Sequence, residues 1–176
     1  MNKKIFMRKK AVEDLPLRLI IIVIILAITL PIIFELFKTY DQSSTVNGAK
    51  QNASLISTYV QEVYSSGLNS SLDFKINFKS GFFTKITKVV IGDSFTGSDV
   101  SVIALYFSDI SPYYFVIQNP SVIVSTFCSG KWQSLTIGPG SYTIHIVTES
   151  IPPSSTKYVG GTFVNITVVS PAITGC

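Results

Sequence analysis

Three spacings of apolar residues follow one another along the chain. From Leu15 to Phe37 nearly every position is apolar, LPLRLIIIVIILAITLPIIFELF. A helix built from it is greasy all round and needs an apolar partner on every side. Taken from Leu15 to Lys38, it would be about 36 Å long at about 1.5 Å per residue, enough to cross the hydrocarbon core of a bilayer. From Ala49 to Ser66 the apolar residues Ala53, Ile56, Tyr59, Val60, Val63 and Tyr64 recur at helical spacing instead. That is the single stripe of an amphipathic helix, and Gly67 is a natural stop for it. The polar stretch Asp41-Gln42-Ser43-Ser44-Thr45-Val46-Asn47-Gly48 between them reads either as a hinge or as a frayed turn of one continuous helix.

After Gly67 the period falls to two. Leu72, Phe74, Ile76 and Phe78 alternate with Asp73, Lys75, Asn77 and Lys79, which predicts a strand with one buried and one wet face. Further strands are expected at 86–91, 100–107, 113–118, 122–127, 134–137, 142–148 and 162–169. Turn chemistry separates them at Gly92-Asp93, Ser111-Pro112, Asn119-Pro120, Ser129-Gly130, Gly138-Pro139-Gly140, Pro152-Pro153 and Gly160-Gly161. The expected fold class is α+β: a long N-terminal hydrophobic α-helix followed by an antiparallel β-sandwich, for which the immunoglobulin-like form is one candidate.

Charge changes this picture at the N-terminus. Lys3, Lys4, Arg8, Lys9 and Lys10 precede the apolar run, so the positive-inside effect keeps the start of the chain cytoplasmic and sends everything after Lys38 outward. The whole chain has 14 Lys and Arg against 10 Asp and Glu; without those five cations nine remain against ten. The net positive charge therefore belongs to the leader. No basic patch with interleaved aromatics is left beyond it, and nucleic acid is not an expected partner. Arg18 and Glu35 lie near the two ends of the apolar run, where their side chains can reach the interfaces. Pro31 reads either as a kink or as a tolerated membrane proline.

The apolar run lacks a small-x-small site at its end, passing through Leu30-Pro31-Ile32-Ile33-Phe34 into Glu35-Leu36-Phe37-Lys38. Cleavage makes more sense ahead of it. Lys9-Lys10-Ala11 followed by Val12-Glu13-Asp14-Leu15 and a hydrophobic helix resembles the class III signal peptide of an archaeal type IV pilin-like protein. The resemblance covers roughly the first quarter of the chain. It implies a basic leader cut by a prepilin-peptidase-type membrane aspartyl protease, with Lys10, Ala11 and Val12 around the cut. It implies also a retained helix that packs with its copies into a homo-polymeric filament core. Many pilins carry a glutamate at the fifth mature position, whereas a cut after Ala11 puts Glu13 and Asp14 at the second and third. On this reading the domains are a leader at 1–11, a transmembrane and filament-core helix at 12–40, a polar hinge and amphipathic helix at 41–66, and an extracellular β-sandwich at 67–176.

Glu13 and Asp14 are expected in the first turn of the hydrophobic helix, where carboxylates favour the positive helix end and Pro16 is also at home. They serve either as helix-start residues of an uncleaved signal anchor or as subunit contacts. In the second role an acid neutralises a neighbouring subunit's new N-terminal amine inside an apolar bundle, where an unpaired charge costs several kcal/mol.

Chemistry elsewhere is sparse. Cys128 and Cys176 are a candidate disulfide for an extracellular chain; two free or buried thiols are the other reading. A structural zinc site needs four ligands, and His145 is the only histidine. Gly92-Asp93-Ser94 looks like the start of a GDS-type esterase motif, but a histidine base and an α/β scaffold are missing from the pattern. Asp93 to Asp99 lacks the established calcium-loop pattern and reads as a turn. No enzyme activity and no cofactor are expected. Sequons at Asn52, Asn69 and Asn165 are candidate N-glycosylation sites, with Asn69 the best placed.

The expected function is a structural subunit of a surface filament used in adhesion, membrane-inserted before assembly. The alternative is a membrane-anchored extracellular β-sandwich that does not polymerise, or a minor pilin. Tyr113, Tyr114 and Trp132 are the aromatic residues that could meet a partner, and core or edge packing is their default reading.

Overall fold

A computed structural model describes residues 4–95, 97–117, 122–151 and 161–171, with side chains from Pro16 onward. The chain divides into two units, residues 1–40 and 41–176. One helix, α1 (Lys4–Ser65, 62 residues), supplies the described part of the first unit and the start of the second. The polar stretch 41–48 is thus helix throughout, and the amphipathic segment expected as a second helix is the C-terminal part of α1. Pro16 and Pro31 both lie inside it. Pro31 removes one i→i−4 bond, yet the helix continues through it.

Glu13 and Asp14 do not occupy the first turn in the uncleaved chain. Among the described residues the helix begins at Lys4, and no acidic residue lies in its first turn. The first-turn placement applies only to a chain cut after Ala11. At the other end Gly67 stops the helix as its sequence context predicts: it takes φ 95°, and its N–H donates to Tyr64 O at 3.3 Å.

The second unit is built around a stripe of α1. Ala49, Ala53, Ile56, Val60 and Val63 recur every three or four residues and are all buried. Nine strands follow among the described residues: β1 (Ser71–Phe78), β2 (Ile86–Ile91), β3 (Val102–Phe107), β4 (Tyr113–Val116), β5 (Val124–Cys128), β6 (Lys131–Gln133), β7 (Leu135–Ile137), β8 (Gly140–Ser150) and β9 (Thr162–Ser170). They form a five-stranded sheet in the order β1-β8-β9-β5-β6 and a four-stranded sheet in the order β4-β3-β2-β7. The arrangement is sandwich-like and the fold is α+β.

The alternation in β1 does what its sequence implies, burying Phe74, Ile76 and Phe78 and exposing Asp73, Lys75 and Asn77. In β2 the register against β3 shifts between Ile86 and Lys88. That irregularity changes the side-chain phase, so Ile86 and Val89, three apart, are both buried. Core residues of α1 and of both sheets make one cluster, which includes Ile56, Phe78, Val89, Leu105, Ile144 and Ile166.

One pairing departs from the antiparallel expectation. β5 and β9 run parallel, with Val124 opposite Val164 and Ser125 opposite Asn165. Parallel neighbours cannot be joined by a tight turn. Here the chain leaves the five-stranded sheet after β6, adds β7 to the other sheet, and returns through β8 before laying β9 between β8 and β5. β6 was not expected, being only three residues long with Trp132 as its single large apolar residue.

Candidate functional site

The N-terminal segment presents sixteen large apolar side chains between Leu17 and Phe37, each roughly half exposed or more. The most apolar 18-residue window of this helix has a mean hydropathy of 3.0, and none of that window is buried. By length and composition the helix can cross a membrane. Fully burying one such side chain is worth about 1.5 to 3 kcal/mol, so sixteen of them left in water would forfeit a few tens of kcal/mol. A domain's net stability is only about 5 to 15 kcal/mol. The segment is therefore suited to apolar surroundings rather than to water. Where hydroxyls interrupt it they are satisfied locally: Thr29 Oγ1 donates to Ile25 O at 2.9 Å, and Thr39 Oγ1 to Glu35 O at 3.0 Å.

Just beyond this segment lies a polar clamp that the sequence pattern did not reveal. Asp41, on α1, accepts three backbone N–H bonds from the β1–β2 loop: Phe82 at 2.9 Å on Oδ1, Phe83 at 2.8 Å and Thr84 at 3.0 Å on Oδ2. These charge-assisted bonds, that from Thr84 first and that from Phe82 next, hold the Asp41 carboxyl below its ordinary pKa. The loop is itself a closed turn, with Gly81 N–H donating to Thr84 O at 2.9 Å and Ile86 N–H to Ser80 Oγ at 3.0 Å. Gly81 lets the loop approach the helix side chains closely. A Cβ there would lie 2.4 Å from both Asp41 Oδ2 and Thr45 Oγ1. Thr84 is buried and extends the network through Oγ1 to Asp109 Oδ2 at 3.1 Å.

The helix is joined to the strands at further points. Asn52 Nδ2 donates to Asn77 O at 2.9 Å, Thr148 Oγ1 donates to Val63 O at 3.0 Å, and the Tyr59 ring lies 4.7 Å from that of Phe74. Lys50 Nζ sits 4.0 Å above the Tyr113 ring, a cation–π contact between α1 and the edge strand β4.

The residues singled out from sequence are dispersed. Lys10, Ala11, Val12, Glu13 and Asp14 belong to the α1 backbone, and their side chains lie outside the described residues. Cys128 ends β5, is buried and is disulfide-bonded. Cys176 lies outside the described residues. Of the sequons, Asn69 is exposed in the α1–β1 turn with φ 64°. Asn52 is held in mid-helix by the bond to Asn77. Asn165 is in β9 between two strands, with Nδ2 donating to Glu149 Oε1 at 2.9 Å.

Gly92-Asp93-Ser94 lies in the loop that follows β2. Gly92 has φ 65°, and a Cβ there would lie 2.0 Å from Val124 O; Asp93 Oδ1 accepts from Ser94 N–H at 2.7 Å. His145 pairs through Nδ1 with Asp73 Oδ1 across β1 and β8, where the two residues are directly opposite. Among the described residues no three His, Cys, Asp or Glu side chains converge as metal ligands would. Trp132 packs into an aromatic cluster with Phe95, Phe127 and Phe163 at ring separations of 4.8 to 5.2 Å.

Comparison with protein-family models, curated proteins and solved structures finds no match. The fold and its exposed segment define an α+β protein with one long N-terminal helix that can cross a membrane, followed by a sandwich-like β domain.

Proposed function

We infer that this chain is a type IV pilin-like subunit of an archaeal surface filament. A prepilin-peptidase-type protease cuts it after Ala11, and the new N-terminus frees the helix to pack with copies of itself. The observation that carries the reading is the segment from Leu17 to Phe37, apolar on every side and exposed. A lipid bilayer satisfies such a surface before assembly, and a bundle of identical helices satisfies it afterwards, so one segment serves as both anchor and polymer core.

The clamp at Asp41 adds support. A filament built on helices transmits load from one β domain to the helix beneath it, and a helix tied to the sheets by a stripe of core side chains and by Asp41 bears that load better than a flexible linker. Glu13 and Asp14 then have work at the cut end, pairing with a neighbour's amine and setting axial register. The β domain coats the filament, where adhesion would be its use, and Asn69 is the sequon best presented for a glycan. No catalytic step and no cofactor enter this reading. Cys128 with Cys176 ties the C-terminus to the end of β5.

The same apolar surface would serve a protein that stays anchored and never polymerises. Two measurements separate the readings. Mass spectrometry of the protein from native membranes should find an N-terminus at Val12; an intact Met1 to Lys10 leader refutes processing. Negative-stain microscopy of sheared appendages, with antibody to the β domain, should decorate filaments; appendages that never carry the chain leave the anchored reading.

A further inference from the structure

Phe82 is more exposed than any other large apolar side chain described, at 83%. It is not a loose loop residue. Its own N–H is bonded to Asp41, the next two amides to the same carboxylate, and the turn is closed behind it by Gly81 and Ser80. A loop held by a carboxylate, a buried threonine and a closely packed glycine keeps the tip aromatic outward. The Phe83 ring supports it edge-on at 5.0 Å.

Position within the second unit gives the tip a destination. Asp41 comes four residues after Phe37, the last residue of the apolar run, and four residues of chain reach at most about 14 Å. A loop bonded to Asp41 is thus tied to the chain within a few residues of the end of that run. The loop sequence, Lys79-Ser80-Gly81-Phe82-Phe83-Thr84-Lys85, brackets the aromatic pair with two exposed cations and contains no acid. Aromatic rings set between lysines suit the boundary of a bilayer, where rings settle at headgroup level and cations meet anionic headgroups.

We propose that the Lys79–Lys85 loop is a second membrane contact, with the Phe82 ring in the boundary between headgroups and acyl chains and Lys79 and Lys85 against anionic headgroups. The contact rests on the reading that α1 spans the bilayer before assembly. It gives the β domain a fixed seat on the outer leaflet, so a subunit waiting to be incorporated is held at one height as well as inserted.

The test uses the full-length chain in vesicles of phosphatidylcholine and phosphatidylglycerol whose acyl chains carry bromine near the headgroup end. Tryptophan is placed at one position at a time, F82W or F34W, and the unsubstituted chain, whose sole tryptophan is Trp132, supplies the baseline. F82W should show blue-shifted emission and be quenched to roughly half the extent of F34W or more, an effect weakened by K79A with K85A or by leaving out phosphatidylglycerol. Quenching of F34W with F82W at baseline overturns the loop contact and leaves the spanning helix intact. Baseline emission from both overturns the two together. A blue shift of F82W that arises only when filaments assemble overturns the lipid contact and assigns the loop to a neighbouring copy.

Discussion

Residues 17–37 and residues 49–63 belong to one helix, yet they meet opposite fates. In the first segment apolar side chains occupy nearly every position and all are exposed; in the second, the exposed Leu55 apart, they keep to one stripe, of which Ala49, Ala53, Ile56, Val60 and Val63 are buried. The difference lies in how much of the circumference is apolar. A stripe of Ala49, Ala53, Ile56, Val60 and Val63 can be covered by the strands of its own chain, leaving polar residues for water. A segment apolar all round leaves no polar face for water and has the length and composition to cross a membrane. A single helix thus carries a segment built into the core of the β domain and a segment apolar enough to cross a membrane, with Asp41 between them in sequence.

The largest effect expected follows from separating the two. A chain starting at Asp41 should be soluble without detergent, retain its strand content and melt cooperatively, because its core cluster begins at Ala49. A chain starting at Gly67 should fail to fold, having lost the buried stripe. Circular dichroism and solubility measurements check both. A chain from Asp41 that still needs detergent would show that the first segment is part of the core after all.

One substitution made twice in the same helix sharpens the contrast. Ile56→Ala should cost about 2 to 5 kcal/mol in domain stability, since Ile56 is fully buried. Ile24→Ala, at an exposed position, should stay within about 0.5 kcal/mol of the unaltered chain. Denaturant melts of the β domain in detergent would read both. Equal losses would mean that the two halves of the helix are not energetically distinct.

Much of this contrast was legible in the sequence because it rests on periodicity. The continuous run, the 3.6-residue stripe, the Gly67 stop and the alternation of Leu72 to Phe78 are local patterns, and local patterns survive into the fold. What escaped notice depends on residues far apart. Asp41 reads only as the start of a polar hinge or helix turn because its partners, Phe82 to Thr84, lie about forty positions on, and backbone amides have no signature. The one available hint was Gly81 in a loop beside two aromatics, a glycine that marks close approach but does not say what approaches. The continuity of the helix through 41–48 was obscured for the same reason: serines, an asparagine and a glycine weaken helix propensity, and the buried Thr45 and Ala49 that hold this stretch become apparent only with the sheets in place. The parallel β5–β9 pair depends on the path through both sheets, which strand spacing does not encode.

The clamp offers a finer test of the boundary between the two segments. Gly81→Ala must push Asp41 or the loop aside, since its Cβ has 2.4 Å to the Asp41 carboxylate. It should lower the melting temperature by several degrees and speed hydrogen exchange at the amides of Phe82, Phe83 and Thr84. Unchanged exchange at those amides would show that the loop is held by its own turn alone.

The smallest expected effect is the pH dependence of that clamp, and its sign follows from the direction of the Asp41 shift. The folded carboxyl titrates below its ordinary value of 3.8 because the Thr84 and Phe82 amides bind the charged form. Between the folded and unfolded values the unfolded chain holds more protons, so stability rises with pH through that window. The contribution of the clamp is fully present above about pH 3.8 and is lost as pH falls through the lower, folded value. Asp41→Asn keeps the size of the side chain but replaces the carboxylate with a single, uncharged carbonyl acceptor. Its melting temperature should fall below that of the unaltered chain by a constant margin at neutral pH, and the margin should close in acid, once the native carboxyl is protonated too. A margin that persists below the folded value would assign the loss to hydrogen-bond count or shape rather than charge, and a margin absent at neutral pH would mean that the stripe from Ala49 to Val63 holds the helix without help from Asp41.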